Sequence, residues 1–241
     1  SFCDMYEDEP CRRVAEEYLG HIRRRLRDRF GENRLTVLDA GCQAGRLLIP
    51  LAADGHTLIG IDTSAFALRR AAQHARGRGC SARLHRGNIA HLKRWIRPGS
   101  LDAVICAEVL YLCRNFRELI QVMAGAVKPG GLLFVSHRPA LYYVATALRR
   151  GQVELANELV RRTEGRSPDG DYHNWQTPEQ LHELYQELRL TMLGCEGLDR
   201  MELTLDLSIA DDAVKTLLAP THLGDSRFQI PTYLLIAAQK P

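Results

Sequence analysis

From Arg34 onward, short apolar runs alternate with longer segments of helical period, and this alternation limits the fold more than any other feature of the chain. It predicts right-handed crossovers between parallel strands. Runs such as LLFV and DAVICA lack polar alternation, which is typical of strands that helices cover on both faces. The predicted strands are Thr36–Ala40, Thr57–Ile61, Ala82–His85, Leu101–Cys106 and Leu132–Val135, and the predicted helices cover about 44–54, 64–77 and 115–127. The pattern indicates an α/β fold with a doubly wound, mostly parallel sheet.

Two segments depart from this alternation. Residues from Pro10 to Phe30 are predicted to form a helix before the first strand, with acids at its start and arginines at its end, a polarity that suits the helix dipole. After the fifth strand, residues 139–176 hold a predicted amphipathic helix, Leu141 to Glu164, and then the turn-rich RSPDGDYHNW. An insert at the strand ends of such a sheet suits a substrate cover, although an interface element is equally compatible.

The rest of the chain returns to the sheet. Thr177 and Pro178 open a helix that runs to about Glu187, because a hydroxyl cap and a proline in the first turn favour a helix start. A strand near Leu190–Leu198 follows, and a last apolar run, Tyr233–Ala238, is expected at or near the sheet edge. We therefore expect one domain over residues 1–241, made of a helical cap (1–33), a core (34–138), the insert (139–176) and the C-terminal part of the sheet (177–241).

Composition excludes several classes of protein. The 241 residues are 45% hydrophobic and 25% charged, as in ordinary globular proteins, and the formal charge of +3 is too small for a chain built to neutralise nucleic acid. No run of about eighteen apolar residues is present, and the first thirty residues lack the apolar core of a secretory signal. The sequence thus predicts a cytoplasmic protein with no membrane span.

Seven cysteines are spread irregularly along the chain, and no CxxC pair occurs. Zinc ribbons and thioredoxin-type sites need two closely spaced thiolates, and a secreted disulfide framework favours an even count in a shorter chain. We therefore expect reduced thiols, most of them in the core, and no metal site.

A glycine-bearing turn follows the first strand in VLDAGCQAG, which spans residues 37–45. Glycine lets the backbone approach a ligand closely, and the helix that follows offers free amide donors. Asp62 ends the second strand in LIGIDTS, where its carboxylate can accept hydrogen bonds from both hydroxyls of a ribose. Together the two features indicate a site for a nucleoside-containing cofactor across the first two strands.

In its ordered motifs, the chain resembles the class I S-adenosylmethionine (SAM)-dependent methyltransferases. The matching pieces are VLDAGCQAG, LIGIDTS, RGNIAHL, LDAVICAEVLYL and AVKPGGLLFVS, and they cover roughly residues 36–137. The ordered set is far more specific than any single motif. The resemblance implies a Rossmann-like, seven-stranded sheet that is parallel except for one strand, with SAM as the cofactor.

The same resemblance implies a cofactor site. The expected cofactor-binding residues are Asp39, Gly41, Cys42, Gly45, Asp62, Thr63, Asn88, Ile89 and Ala107. Of these, Asp39 and Gly41 would border the methionine part of SAM, and Asp62 would take the ribose hydroxyls. Asn88 and Ile89 would lie against the adenine.

The sequence departs from the family pattern at two places. Gln43 stands where the family often has glycine, which puts the closest approach of the backbone to the cofactor in doubt. Many small-molecule members carry an acid and a histidine where Tyr111 and Leu112 stand here. The role that this histidine has in other family members is therefore not assigned to any residue at this place in the chain.

A nicotinamide-dependent oxidoreductase is the rival interpretation, because both folds place a glycine turn after strand one and an acid after strand two. Against it, the turn lacks the GxGxxG spacing, and Asp39 lies where a carboxylate would repel a pyrophosphate but suit an ammonium or sulfonium. A third interpretation keeps SAM binding without catalysis, since the sequence shows no unambiguous catalytic base. We predict an enzyme that transfers a methyl group to an oxygen or nitrogen of a small molecule.

Two histidines are candidates for a catalytic base in a reaction that otherwise depends on positioning and the exclusion of water. His137 ends the fifth strand, at the edge where ligands of open α/β sheets bind; the alternative is that it only holds a local hydrogen bond. His173 lies in the tract DYHNW, which could close over the site or could pack Trp175 into the core.

The acceptor side of the site is predicted from the fourth strand and the insert. By the same resemblance, Ala107 and Glu108, at the end of the fourth strand, would face the methionine end of SAM and the substrate. The candidate substrate-binding residues are Glu108, Tyr111, Tyr143, Tyr172 and Trp175. Arginines outnumber acids in the insert, which favours an anionic acceptor, although a solvated helix face explains the same pattern. RNA and protein substrates are disfavoured, and the oligomeric state stays open.

Overall fold

The computed structural model of the chain describes residues 6–241. Its strands are β1 (Thr36–Ala40), β2 (Thr57–Asp62), β3 (Ala82–Arg86), β4 (Leu101–Cys106), β5 (Val127–His137), β6 (Glu164–Arg166), β7 (Tyr172–Asn174), β8 (Thr191–Thr204), β9 (His222–Gly224) and β10 (Arg227–Gln239). The central sheet has the order β3-β2-β1-β4-β5-β10-β8, and β9 pairs with β10. The first five strands in this order are parallel, whereas β10 runs antiparallel to β5 and β8. The predicted mostly parallel α/β fold is confirmed.

Helices connect the strands on both sides of the sheet. They are α1 (Glu9–Phe30), α2 (Leu48–Ala53), α3 (Ala65–Gly77), α4 (Phe116–Ala126), α5 (Ala140–Arg149), α6 (Val153–Leu159), α7 (Pro178–Glu187) and α8 (Asp212–Leu218), with short 3-10 helices at Ile89–Arg94, Leu110–Leu112 and Ala219–Thr221. Within residues 6–241, no helix combines the length and the apolar character that crossing a bilayer requires.

The central strands are buried on both faces. Successive side chains of a strand point to opposite sides of the sheet, so neighbouring residues enter different apolar layers. Leu38 of β1 belongs to the apolar layer that contains Ile120 and Met123 of α4. The adjacent Val37 belongs to the opposite layer, which contains Ile22 of α1. These two layers explain why the strand sequences lack polar alternation.

The N-terminal helix α1 closes one of these layers. Asp8 Oδ1 accepts a hydrogen bond from the backbone N–H of Cys11 (3.1 Å), which caps the start of the helix. The buried residues of α1 lie on the side opposite its solvated arginines. They are Val14, Ala15, Tyr18, Leu19, Ile22 and Leu26. The predicted helix is present, and its inner face is part of the core.

The insert packs into a third apolar cluster beside the carboxyl end of β5. This cluster joins Tyr143 of α5 and Trp175 to Val214 of α8 and Phe228 of β10. The insert therefore shares its core with residues that follow it in the chain. The division of the chain into cap, core, insert and C-terminal part stays a prediction.

Two predicted helices differ from the structure. The helix predicted at 44–54 is shortened to α2, because Gly45 (φ 89°) adopts a left-handed backbone conformation that a right-handed helix excludes. The single helix predicted from Leu141 to Glu164 is wrong. It is divided into α5 and α6 at Gly151 (φ 71°), and Glu164 already begins β6.

The last strand and one cysteine also require correction. β10 is longer than predicted. It lies one position in from the sheet edge, near the edge as expected, and its Leu234 and Leu235 contribute to opposite apolar layers. Cys11 is disulfide-bonded, so the expectation of reduced thiols is wrong for this residue. The free cysteines among the described residues are Cys42, Cys80, Cys106, Cys113 and Cys195. Cys3 lies outside the described residues.

Candidate active site

A cavity of about 600 Å³ opens at the carboxyl ends of the parallel strands, where ligands of such sheets bind. Its walls come from the loops after β1 to β5, from α5 and from β7. The predicted site residues that line it are Asp39, Gly41, Cys42, Asp62, Thr63, Asn88, Ile89, Ala107, Glu108, Tyr111, Tyr143 and His173. Gly45, His137, Tyr172 and Trp175 lie outside its lining.

The turn after β1 is held against the end of β2. The backbone N–H groups of Gly41 and Cys42 both donate to the carbonyl oxygen of Ile61, over 2.7 and 3.1 Å. Gly41 has a φ of 84°, and a side chain there would collide with Val109 in the loop after β4. The cavity wall at Gly41 is therefore bare backbone. Gly45 shapes the same turn, since its N–H donates to the carbonyl oxygen of Cys42 (2.8 Å).

Asp62 is oriented by two backbone amides. Its Oδ2 accepts a hydrogen bond from the N–H of Gln43 (2.9 Å), and its Oδ1 accepts one from the N–H of Ser64 (2.8 Å). Gln43 reaches this position with a φ of 46°, in the left-handed region that glycine adopts most easily. The glutamine thus takes a glycine-like conformation and keeps the turn closed on Asp62.

Gly87, Asn88 and Ile89 form the wall after β3. The N–H of Gly87 donates to the carbonyl oxygen of Asp62 (3.0 Å), which ties this loop to β2. Asn88 Oδ1 accepts a hydrogen bond from the N–H of Ala90 (2.9 Å) and starts the 3-10 helix. Ile89, the first residue of that helix, is buried. An apolar side chain and an amide side chain therefore form this part of the cavity.

Asp39 is a buried acid in the cavity wall, with 3% of its surface exposed. Burial raises the pKa of Asp39 to about 7; the Arg46 cation opposes this rise, and Asp62 adds to it. A cationic ligand group beside Asp39 would favour its ionised form, so this position suits a ligand with a positive charge.

Glu108 is held on both carboxylate oxygens by residues that are distant in sequence. Arg46 Nη2 donates to Oε1 (2.5 Å), and Tyr233 Oη donates to Oε2 (2.9 Å). Glu108 has a φ of 60°, a strained conformation, and its N–H donates to Ser136 Oγ of β5 (2.6 Å). The carboxylate is therefore fixed in place at the end of β4.

Arg138 directly follows β5 and lies among tyrosine side chains. Its Cζ lies 4.8 Å from the ring centroid of Tyr111, 4.2 Å from that of Tyr142 and 4.3 Å from that of Tyr233. Arg138 Nη2 donates to the hydroxyls of Tyr233 (3.0 Å) and Tyr111 (3.4 Å). This part of the cavity is therefore aromatic and positively charged.

His173 lines the aromatic part of the cavity. Its ring centroid lies 5.4 Å from that of Tyr143, in a stacked arrangement, and 5.6 Å from that of Tyr111. Burial and the Arg138 cation lower the pKa of His173 below its ordinary value of 6.5. Both causes favour the neutral imidazole.

His137 lies in the core, which is contrary to the expectation drawn from its position at a strand end. It is fully buried, and its Nε2 is 3.1 Å from Tyr185 Oη of α7. Burial lowers the pKa of His137 to about 4. The neighbouring Ser136 points the other way, because its Oγ accepts a hydrogen bond from the backbone N–H of Glu108 in the cavity wall. Because alternate strand residues point to opposite faces, His137 is directed away from the cavity.

Tyr172 also points away from the cavity. It precedes His173 on β7, and adjacent residues of a strand face opposite sides. Its hydroxyl donates to Glu164 Oε2 (2.6 Å), and the Cζ of Arg114 lies 3.9 Å from its ring centroid. The position of Tyr172 is thus at odds with its predicted contact with the substrate.

Trp175 is buried behind the cavity wall, with 1% of its surface exposed. Its Nε1 donates to the carbonyl oxygens of Leu159 (3.1 Å) and Arg162 (2.6 Å). Its ring centroid lies 5.2 Å from that of Tyr143. The position indicates packing support for Tyr143, in place of the predicted direct contact with a substrate.

Some contributors to the site were not identified from the sequence. Arg46 lies one residue after Gly45, so its position beside the glycine turn was a usable signal. Tyr233 comes from β10 and bonds to Glu108, which is 125 positions earlier in the chain. No local pattern identifies Tyr233, because only the pairing of β10 with β5 brings it to the site.

The cavity combines two kinds of wall. Near β1 and β2, bare backbone at Gly41, the buried carboxyl group of Asp39 and the oriented carboxylate of Asp62 suit a nucleoside with a cationic group. Near α5 and β7, rings and the Arg138 cation suit a flat polar organic molecule. The residues present therefore fit a nucleoside-type cofactor next to an organic substrate.

Comparison with known proteins agrees with this arrangement. Residues 37–131 match the family described as a methyltransferase domain. The chain is 30% identical over 192 residues to the ubiquinone biosynthesis O-methyltransferase of Ralstonia nicotianae, covering 79% of this chain and 77% of that protein. It is 34% identical over 131 residues to the ubiquinone biosynthesis O-methyltransferase of Pectobacterium carotovorum, covering 54% of this chain and 53% of that protein. The chain thus spans about half the length of the Pectobacterium relative.

A solved structure supports the fold. Magnesium protoporphyrin IX methyltransferase from Synechocystis PCC 6803 with bound S-adenosylhomocysteine aligns with a TM-score of 0.63 at 16% identity, over 95% of this chain and 84% of that one. At this identity the likeness shows the fold alone. The matched domain, the extended similarity to the Ralstonia protein and the shared fold lead to one conclusion. The chain belongs to the class I SAM-dependent methyltransferases.

Proposed function

We propose that the protein transfers the methyl group of SAM to a hydroxyl oxygen of a small aromatic acceptor. Both relatives described above are named O-methyltransferases of ubiquinone biosynthesis. The observation that carries the proposal is the aromatic wall of the cavity, to which Tyr111, Tyr142, Tyr143 and His173 contribute. Such a wall suits a flat aromatic acceptor with polar substituents.

The part of the cavity near β1, β2 and β3 is proposed to bind SAM. Asp62, oriented by two backbone amides, would accept hydrogen bonds from the ribose hydroxyls. Asn88 and Ile89 would contact the adenine. Gly41 would border the methionine part, and Asp39 would face its ammonium or sulfonium cation, because a nearby cation favours the ionised carboxylate. Cys42, Thr63 and Ala107 line the same region.

The chain's own residues position the acceptor and remove its proton. SAM supplies a methyl group that is already activated on a sulfonium, so few protein groups need to take part in the chemistry. His173 is the proposed base, since it lines the cavity next to Tyr143 and its lowered pKa favours the neutral imidazole. Glu108 suits this role less, because Arg46 and Tyr233 already occupy both of its oxygens.

Residues 139–176 are proposed to cover the acceptor and to exclude water from it. They contribute Tyr142 and Tyr143 from α5 and His173 from β7 to the cavity wall. Trp175 supports this cover from behind. A cytoplasmic location and the exclusion of nucleic acid as a partner stay predictions.

Incubation with methyl-labelled SAM and two acceptors tests the proposal. Catechol offers only hydroxyl oxygens, and ortho-phenylenediamine offers only nitrogens on the same ring. We expect label in the methyl ether of catechol and S-adenosylhomocysteine as the co-product. Label on the diamine alone would contradict transfer to oxygen. An absence of label on every hydroxylated ring tested, with SAM bound, would contradict the proposed function.

A further inference from the structure

Arg138 is a cation in the cavity wall that forms no salt bridge with any residue from 6 to 241. Its Nη2 donates to the hydroxyls of Tyr233 and Tyr111. Its Nε is buried without a hydrogen-bond partner. Its Nη1 donates to no residue in the described part of the chain and is not buried. The Nη1 group of the guanidinium is therefore available to a ligand in the cavity.

The acids near Arg138 are engaged with other cations. Glu108 accepts hydrogen bonds on both oxygens, one of them from Arg46 at 2.5 Å. Asp169, which lines the same cavity, accepts a hydrogen bond from Arg150 Nη2 at 2.7 Å. The positive charge of Arg138 is thus left without an anionic partner. A cation in a half-buried position is stabilised when an anion pairs with it.

The rings around Arg138 favour a planar anion. The ring centroids of Tyr111, Tyr142 and Tyr233 lie within 4.8 Å of its Cζ, so a ligand reaches Nη1 in the plane of the guanidinium and not over its faces. A carboxylate oxygen lies in that plane when it accepts a charge-assisted hydrogen bond from Nη1. Tyr111 Oη accepts from Arg138 and keeps its own proton, which provides a second donor for the same anion.

The arginine excess of the insert does not account for this site. Arg149, Arg161 and Arg162 are exposed, and none of them lines the cavity. Arg138 differs from them because it follows β5 directly and reaches the aromatic wall. The expectation of an anionic acceptor therefore depends on this one position.

We propose that Arg138 and the Tyr111 hydroxyl bind a carboxylate on the ring of the acceptor, which makes the acceptor a hydroxylated aromatic acid. This inference rests on the proposed methyl transfer to an aromatic hydroxyl and narrows it to acids. The carboxylate is a recognition group, and the hydroxyl that receives the methyl group is a different substituent of the ring. Arg138 thus determines acceptor affinity and specificity.

Binding of a matched pair of ligands tests the inference without any turnover. Para-hydroxybenzoate and para-hydroxybenzamide have nearly the same shape, but only the benzoate is charged at pH 7. Calorimetric titration into the protein saturated with S-adenosylhomocysteine gives both affinities. We expect the wild-type protein to prefer the benzoate by about 10- to 100-fold, since a charge-assisted pair is lost with the amide.

Variants of Arg138 assign this preference to one residue. Arg138→Met should bring the two affinities within about twofold of each other, whereas Arg138→Lys should keep part of the preference. Arg149→Met, on the exposed side of α5, is the matched control and should keep all of it. Unchanged binding of S-adenosylhomocysteine shows that each variant is folded.

The outcomes separate this inference from the proposed function. Equal affinities of the wild-type protein for benzoate and benzamide would overturn the assignment of a carboxylate site, whether or not any variant folds. A preference that survives Arg138→Met would overturn the role of Arg138. Methylation of catechol and of protocatechuate with equal efficiency would contradict this inference alone, because the transfer to oxygen would still occur.

Discussion

The backbone N–H of Gln43 donates a 2.9 Å hydrogen bond to Oδ2 of Asp62, and this bond joins the turn after β1 to the end of β2. Ser64 N–H occupies the other oxygen of the same carboxylate (2.8 Å). Both amides need an acceptor, and an asparagine at this position offers only one oxygen. The orientation of Asp62 therefore depends on its being a carboxylate.

Asp62→Asn is expected to weaken binding of S-adenosylhomocysteine by about tenfold or more, because one backbone amide would face an NH₂ group and the ribose would lose an acceptor. Calorimetric titration measures the change. Asp28→Asn, at an exposed position of α1, is the control and should leave the affinity unchanged. Equal affinities of the Asp62 variant and the wild-type protein would contradict the ribose assignment.

Gly41→Ala is expected to lower the free energy of unfolding by about 1–3 kcal/mol, since φ is 84° there and a methyl group would collide with Val109. Gly20→Ala is the control: Gly20 lies inside α1 with no atom near its absent Cβ, so alanine should raise the free energy of unfolding by about 0.5–1 kcal/mol. Urea denaturation measures both. A tolerated Gly41→Ala would refute the steric argument.

His173→Gln is expected to lower kcat by about 100-fold or more and to leave the affinity for S-adenosylhomocysteine unchanged, because the base would be lost and the cofactor contacts kept. In the wild-type protein, kcat/KM should fall as the pH falls through a pKa below 6.5, the direction set by burial and by Arg138. That inflection should be absent in the variant. A variant with the wild-type pH profile would exclude His173 as the base.

His137 is expected to make stability depend on pH, because its pKa is about 4 in the folded state and 6.5 ordinarily. Above pH 6.5 the imidazole is neutral in both states, and its burial costs nothing further. As the pH falls from 6.5 to about 4, the unfolded chain gains a proton that the folded protein does not, so stability falls by roughly 3 kcal/mol over this window.

Urea denaturation between pH 4 and 7 checks this dependence. His137→Asn removes the titrating group, and the part of the slope that it causes should disappear, while the cavity residues stay in place. His182→Asn, on the exposed side of α7, is the control and should leave the slope unchanged. An identical slope in the wild-type protein and the His137 variant would contradict the prediction.

Local features of the sequence predicted the frame of the site. The alternation of apolar runs with helical segments predicted the parallel strands, since β-α-β crossovers follow from chain chirality. The positions of Gly41, Asp62 and Asn88 at or shortly after strand ends placed them at one sheet edge, because the carboxyl ends of parallel strands meet there. The structure gathers all three around one cavity.

The direction of individual side chains depended on the tertiary structure. His137 and His173 both lie in segments that reach this edge, yet one points into the core toward Tyr185 and the other lines the cavity. A strand sends alternate residues to opposite faces, so a shift of one residue reverses the outcome. The sequence allowed either histidine as the base, and only the register of the strands separates them.

The sequence by itself thus determined the α/β fold, the glycine turn and the acids at the strand ends, because each depends on contacts between near neighbours in the chain. The tertiary structure alone decided the bonds of Glu108 to Arg46 and Tyr233 and the position of Arg138 among its tyrosines. Tyr233 lies 95 positions after Arg138 in the chain. Contacts at such separations form only when the antiparallel pairing of β10 with β5 brings distant segments together.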